Sequence, residues 1–390
     1  VKILHLFNTY LPKTQTWAFN LLRFTPEVEV FIGAYRFLPN SWWDDRFTAV
    51  SGSLPKRIVG FKEKVAYRIL NEEQRAKRRR RKQRQLIDKI WAPAITANEI
   101  DLVHVHFANV GWEFLELKRQ TGIPYVVSFY GMDYEYIPYH KPAFINRYKE
   151  LLKEADAIFC EGPHGKKILI DRYGAGPDKV KVVPLGVEVD KIPFYERLKQ
   201  SGQLRLVQIA SFVEKKGHEY SIRALANAQT TCPNIELTLV GKGPLLEDLK
   251  KLVTDLGIEE KVAFVPFIDY ATLSVFLLDF DVFIHPSCYS AERDCEGGAP
   301  VVLLDAQATG LPVIATYHCD IPAEVVDGKT GLLVQEKDVP ALTEAIAEFY
   351  AMDSVTYQGY ARRARTHVKE CFSVSENANR NLKLYQQIIR

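Results

Sequence analysis

The chain has 390 residues, 47% of them hydrophobic and 25% charged, with a net charge of +3. That composition sets disorder aside, and the length exceeds one compact core, so two domains are expected. A charge so near balance argues against a protein built around a nucleic-acid backbone, and the six cysteines without a CxxC pair fit a reduced cytosolic protein better than a disulfide scaffold or zinc site.

The opening "VKILHLF" reads as a strand rather than a signal peptide, and no apolar run approaches the roughly 20 residues of a membrane-crossing helix. Strands are predicted at 2–7, 28–33, 102–107, 125–130, 157–162 and 180–185. After the Pro- and charge-rich stretch 188–203 they resume at 204–211, 235–241, 262–267, 281–287, 312–316 and 331–334. Helical patterns such as 215–229 and 244–256 separate them. Two series of strand–helix alternation predict an α/β chain of two doubly wound, Rossmann-like domains facing a central cleft. The first domain is expected over 1–190 and the second over 191–370, with an amphipathic helix at 371–390 packing back toward the first.

Three stretches carry chemistry. In "QIASFVEKKGHEY", Lys215 and Lys216 precede Gly217 at a helix start, either as a phosphate seat or as two solvated lysines. "LVGKGPLLEDL" leaves a strand through Gly241 and Gly243, with Pro244 at a plausible first helical position; it lacks the spacing of a Walker A loop. "CEGGAPVVLLDAQATGLPVIAT" sets Glu296 before a loop nearly free of side chains. Pro300 is expected to open a helix that Gly310 stops, with Asp305 inside it. Asp is a poor interior helix residue, which points to a hydrogen-bonding duty, and bare amides at 297–299 suit an anionic ligand; the alternative is a capping Glu296 and a solvent-facing Asp305.

With "VGKGP" (240–244), "EGGAPVVLLDA" (296–306), "GLPVIAT" (310–316) and "DGKTGLLV" (327–334) in this order, the sequence resembles the retaining, two-domain (GT-B) glycosyltransferases of family 4. The N-terminal half resembles them more loosely, through "DLVHVHF", "VVSFYGMD" and "VVPLGVEVD". The resemblance implies that Asp305 binds the donor ribose and Glu296 the donor-sugar hydroxyls, while Lys216 neutralises the leaving diphosphate. It extends the donor site to Ser211, Lys215, Gly241, Gly297, Gly298, Ala299, Pro300 and Val301. The implied activity is a retaining, metal-independent hexosyltransferase without a cofactor. It would move a hexose, glucose first among them, from a UDP-sugar to a glycan or lipid-linked saccharide in polysaccharide biosynthesis. Eight residues separate the two acids where the family commonly has seven, the second acid is Asp rather than Glu, Ser211 stands in a position often held by Arg, and Tyr130 stands where a His often precedes the Gly.

His104 and His106 share one strand face and read as a metal pair with no third ligand in view, as core histidines, or, with Tyr130 and Asp133, as acceptor-side residues. Asp281 in "DFD" spells a DxD metal signature but opens a strand rather than ending one. The run Arg75–Arg84 carries eight cations in ten positions. It is a solvated helix face or a docking segment for an anionic membrane surface or lipid diphosphate; without interleaved aromatics, nucleic acid is not expected. The expected location is the cytoplasm, peripheral at the inner face of the membrane. Rival functions are a catalytically degenerate nucleotide-sugar binder and a sugar-phosphate enzyme such as an epimerase or phosphorylase.

Overall fold

Short runs such as "LVHVH", "YVVSF", "VFIH" and "VIAT" are buried at every position, which is the signature of parallel strands covered by helices on both faces. The computed structural model describes residues 1–10, 16–25, 27–38, 43–51, 74, 81, 83–197 and 199–390. Its first sheet contains β1 (Lys2–Tyr10), β2 (Glu29–Phe37), β3 (Thr48–Ser51), β4 (Leu102–His106), β5 (Tyr125–Phe129), β6 (Ala157–Cys160) and β7 (Val180–Val182), in the order β3-β2-β1-β4-β5-β6-β7. The second contains β8 (Leu204–Ile209), β9 (Ile235–Val240), β10 (Val262–Val265), β11 (Val282–His285), β12 (Val313–Thr316) and β13 (Gly331–Val334), in the order β10-β9-β8-β11-β12-β13.

Every pairing within these sheets is parallel. In each sheet the order reverses beside the first strand, between β1 and β4 and between β8 and β11. Doubly wound sheets bind ligands at the carboxyl ends of the strands flanking that reversal. Each sheet has its own apolar core, one around Trp91, Phe114 and Tyr148, the other around Leu225, Phe349 and Tyr357. The edge strand β3 has no sequence forecast, because "TAVS" offers neither an apolar run nor a clear alternation.

The linker is fastened by arginines. Arg197 donates to the carbonyls of Leu277, Leu278 and Phe280 and to Thr309 Oγ1. Arg365, from the helix Ser354–Cys371, donates to the carbonyls of Val189 (2.8 Å), Ile192 (2.9 Å) and Ala308 (2.6 Å), joining the linker to the end of the helix that carries Asp305. Arg365→Ala is expected to cost about 2–3 kcal/mol in urea unfolding, because three carbonyls lose a charged donor. An unchanged unfolding midpoint and slope would count against the linker's anchorage. The last helix, Val374–Ile389, returns to the first sheet, where Tyr385 is buried against Phe159 and Asn377 Nδ2 donates to the carbonyls of Pro184 and Leu185.

Candidate active site

β8 leads into a 3-10 turn, Glu214–Lys216, and then Gly217 at φ +67° before the helix His218–Ala228. A Cβ on Gly217 would lie 1.9 Å from the carbonyl oxygen of Pro286, so glycine lets this loop lie against the end of β11. That packing brings Lys216 to the loop after β11, where its Nζ lies 2.7 Å from Glu296 Oε2. The other carboxylate oxygen accepts from Ser287 Oγ at 2.6 Å and faces His285 Nε2 at 3.5 Å. The Glu296 amide donates to His318 Nε2 (3.1 Å), whose Nδ1 meets Glu336 Oε1 (2.7 Å). Burial pushes the Glu296 carboxyl up, yet the Lys216 ammonium, with His285 and Lys215, holds it well below the usual carboxylate range. Lysine and acid, expected to serve the diphosphate and the donor sugar separately, are direct partners.

Asp305 sits in the helix Val302–Ala308, which starts two residues later than its proline suggested. The Pro300 carbonyl accepts from the Leu303 amide in a turn that precedes the helix. Pro244 likewise precedes its helix, Leu246–Asp255, in a turn closed from Leu246 N to Gly243 O. Asp305 is 6% exposed, and its Oδ1 accepts from Tyr270 Oη at 3.1 Å. Burial pushes its carboxyl up to about 7, and the Tyr270 hydroxyl pulls it back.

The side-chain-poor loop after Glu296 serves first as a landing place for the opposite half. A Cβ on Gly297 (φ +80°) would fall 1.8 Å from the Cα of Gly131, and one on Gly298 would fall 1.9 Å from Glu161 Oε2. Tyr134 Oη donates to the Gly297 carbonyl, and Tyr289 Oη to Glu135 Oε1 at 3.1 Å. Gly297 and Gly298 are thus buried against the opposite half, while Ala299, Pro300 and Val301 stay half-buried. Lys215 Nζ bonds Asp294 Oδ1 (3.0 Å) and the Cys295 carbonyl (2.9 Å), bracing the approach to Glu296. Ser211 is exposed just beyond β8. Gly241 lies so close to the Ala210 carbonyl that a Cβ there would approach it to 1.9 Å.

In the first half, β1 and β4 pair with His5 opposite His104. His5 Nδ1 lies 3.0 Å from His106 Nε2, and the three rings bring one nitrogen each within 4.8 Å of one another. A third histidine is therefore present, contrary to the expectation from the "HVH" pair alone. It is the one such trio among the described residues that could hold a metal ion. Both nitrogens of His104 already face partners, Tyr385 Oη and Ser128 Oγ at 2.7 Å each, and His106 Nδ1 faces Tyr130 Oη at 2.7 Å. Burial holds all three imidazoles well below their usual range, so hydrogen bonding among neutral rings accounts for them.

Of the residues expected on the acceptor side, His104, His106 and Asp133 are wholly buried, and Asp133 accepts from the Tyr130 amide at 3.0 Å. Burial pushes the Asp133 carboxyl up to about 7, and the amides of Tyr130, Ala108 and Asn109 oppose it. Tyr130, backed by His106, precedes the Gly131 that meets the loop after Glu296. Asp281 lies at the amino end of β11, where Arg205 binds both its oxygens, away from the carboxyl ends. Of the basic run, Arg75, Lys77, Arg78, Arg79, Arg80 and Lys82 lie outside the described residues; Arg84 pairs with Glu116. Among the described residues no helix is long and apolar enough to cross a membrane.

Sequence reasoning missed Tyr270, His285, Ser287 and His318. Two of them stood in plain sight in "FIHPS", at the end of a forecast strand beside a doubly wound sheet's reversal.

Known proteins agree with this layout. Residues 193–367 match the family model described as Glycosyl transferases group 1, and residues 44–191 that described as Glycosyltransferase Family 4. The putative colanic acid biosynthesis glycosyltransferase WcaL of Salmonella typhimurium is 29% identical over 296 residues, 74% of this chain and 71% of its own length. A GDP-mannose-dependent alpha-(1-6)-phosphatidylinositol monomannoside mannosyltransferase of Mycolicibacterium smegmatis is 34% identical over 178 residues, 43% of this chain and 46% of its own. Among solved structures, sucrose-phosphate synthase from Thermosynechococcus elongatus superposes with a TM-score of 0.74 at 18% identity, over 99% of this chain and 98% of that one. Anabaena HepE in complex with UDP and glucose gives 0.70 at 16% identity, over 99% of both. Two sheets reversing at facing sites, with the acid–loop–helix–acid element between them, complete the assignment: the chain belongs to the family 4, group 1 glycosyltransferases and has their GT-B fold.

Proposed function

We propose that the protein transfers a hexose, with retention, from a UDP-sugar to a hydroxyl of a glycan or lipid-linked saccharide during polysaccharide assembly. The observation that supports this reading is the direct Lys216–Glu296 pair on the loops that follow β8 and β11, the strands flanking the second sheet's reversal, with Asp305 buried in the helix after the same loop. Asp305 would hold the ribose hydroxyls through the oxygen that Tyr270 leaves free. Lys216 would turn from Glu296 to the diphosphate as negative charge grows on the leaving group, which is where a fixed cation lowers a barrier most. Glu296, released from the lysine, would accept hydroxyls of the donor sugar. The leaving phosphate would take the acceptor proton, and the closed cleft would keep water from the donor. No metal ion has a part in this scheme. The relatives' names, which speak of colanic acid, and the UDP and glucose bound to HepE support the substrate class.

An acceptor joined to lipid would set the protein against the inner membrane face, with the basic run 75–84 as the segment meeting anionic headgroups.

A thermal-shift comparison of UDP, GDP, UDP-glucose and GDP-mannose tests the donor. UDP at about a hundred times its Kd should add ~2.7 kcal/mol of apparent stability, read as a rise of a few degrees in Tm. Stabilisation by guanine nucleotides alone would replace the base. Stabilisation by UDP-sugars without transfer or donor hydrolysis would favour a non-catalytic binder.

A further inference from the structure

The helix Pro163–Asp171 in the first half begins at Gly162, which has no side chain to cap it. Its cap comes from the other half of the molecule. Asp320, just beyond β12, places Oδ1 2.7 Å from the amide of His164, and the Gly165 amide faces the same carboxylate. These are the second and third positions of the helix, the amides that a capping side chain normally serves. The fit needs Gly162: a Cβ there would fall 2.2 Å from Asp320 Cγ. Asp320 is 4% exposed, and its own amide donates to the carbonyl of Gly298 at 3.1 Å. One residue thus holds the loop after Glu296 by its backbone and the opposite half by its side chain.

We propose that Asp320 is a positioning residue for the transfer, a latch that caps helix 163–171 across the closed cleft and holds the 296–301 loop against the opposite half. The inference rests on the reading that this loop receives the donor. The latch forms only when the halves meet, and a helix start attracts a carboxylate more than it attracts a neutral group. Losing it would leave the donor bound but the cleft loosely closed, so turnover should suffer more than donor affinity.

The test uses the full chain with Asp320→Ala, Asp320→Asn and Gly162→Ala. Asp320→Ala should lower kcat about 10- to 100-fold while donor KM changes less than about twofold. Asp320→Asn, which keeps a capping oxygen, should stay within about threefold of wild type. Gly162→Ala should reproduce the alanine defect from the other side of the cleft, and the double variant Asp320→Ala/Gly162→Ala should be no worse than either alone. X-ray scattering of the ligand-free proteins reads the latch without any donor: the two alanine variants should have a larger radius of gyration than wild type, and the asparagine variant should not. Equal impairment of Asn and Ala at 320, additive losses, or an unchanged radius in both alanine variants would overturn the latch. A wild-type protein that transfers no sugar would overturn the transferase reading instead, with scattering still deciding the latch.

Discussion

Lys216→Ala is expected to lower turnover at least tenfold, and on the order of 100-fold if the lysine meets the leaving diphosphate directly. A second consequence concerns stability. Lys216 is the close cationic partner of a Glu296 carboxylate that is only 7% exposed, so its removal strands a buried charge. Breaking a buried pair from one side costs about 3–5 kcal/mol. Without the ammonium, burial wins and the Glu296 carboxyl rises from its depressed value. In the wild type that depressed value stabilises the fold above the ordinary carboxylate range and is lost as pH falls through it; the variant should lose this contribution and be least stable at neutral and alkaline pH. The double variant Lys216→Ala/Glu296→Gln separates the two effects. It should recover most of the stability, read by urea unfolding, and none of the turnover. Turnover unchanged in Lys216→Ala would remove the lysine from the mechanism.

The elements that seat this site were legible as short apolar runs rich in β-branched residues. "LRLVQI", "VFIHPS" and "PVIAT" marked β8, β11 and β12, and their ends are where the site lies. The family motifs then pointed to the residues on the loops. What the sequence could not carry was which loop residue meets which. Lys216 and Glu296 are 80 positions apart, Tyr270 and Asp305 are 35 apart, and Asp320 reaches an amide 156 positions away. The first two pairs depend on how the loops and helices around the second sheet pack, and the third on how the two halves meet, tertiary properties that no local pattern encodes. The same limit explains the glycines after Glu296. Read locally, bare amides invite a ligand; in the fold, Gly297 and Gly298 first admit Gly131 and Glu161 of the other half. His5 was missed for a related reason: its partners on β4 come beside it only through strand pairing.

Asp305→Asn should weaken donor binding about 10- to 100-fold while making the ligand-free protein more stable at pH 8. Both effects follow from one burial. The carboxyl is pushed up to about 7 from an ordinary 3.8, so its ionised form is held in the fold at a cost. A group raised in this way stabilises the folded state below its ordinary value, and that contribution is lost as pH climbs toward 7. A rise of that size corresponds to roughly 4 kcal/mol, and an asparagine that still accepts from Tyr270 avoids most of that cost. The difference in unfolding free energy between variant and wild type should therefore grow from near zero at about pH 4 to about 2–4 kcal/mol at pH 8. Donor affinity should respond in the opposite sense. An ionised carboxylate accepts two ribose hydroxyls, so wild-type affinity should climb through pH 7 to a plateau, and the asparagine variant should show a flat, weaker profile. Calorimetry with the UDP-sugar across pH 6–9 measures this. A donor affinity unaltered by Asp305→Asn would sink the ribose assignment even if the stability gain appeared as expected, because that gain needs only a buried acid and no ligand at all.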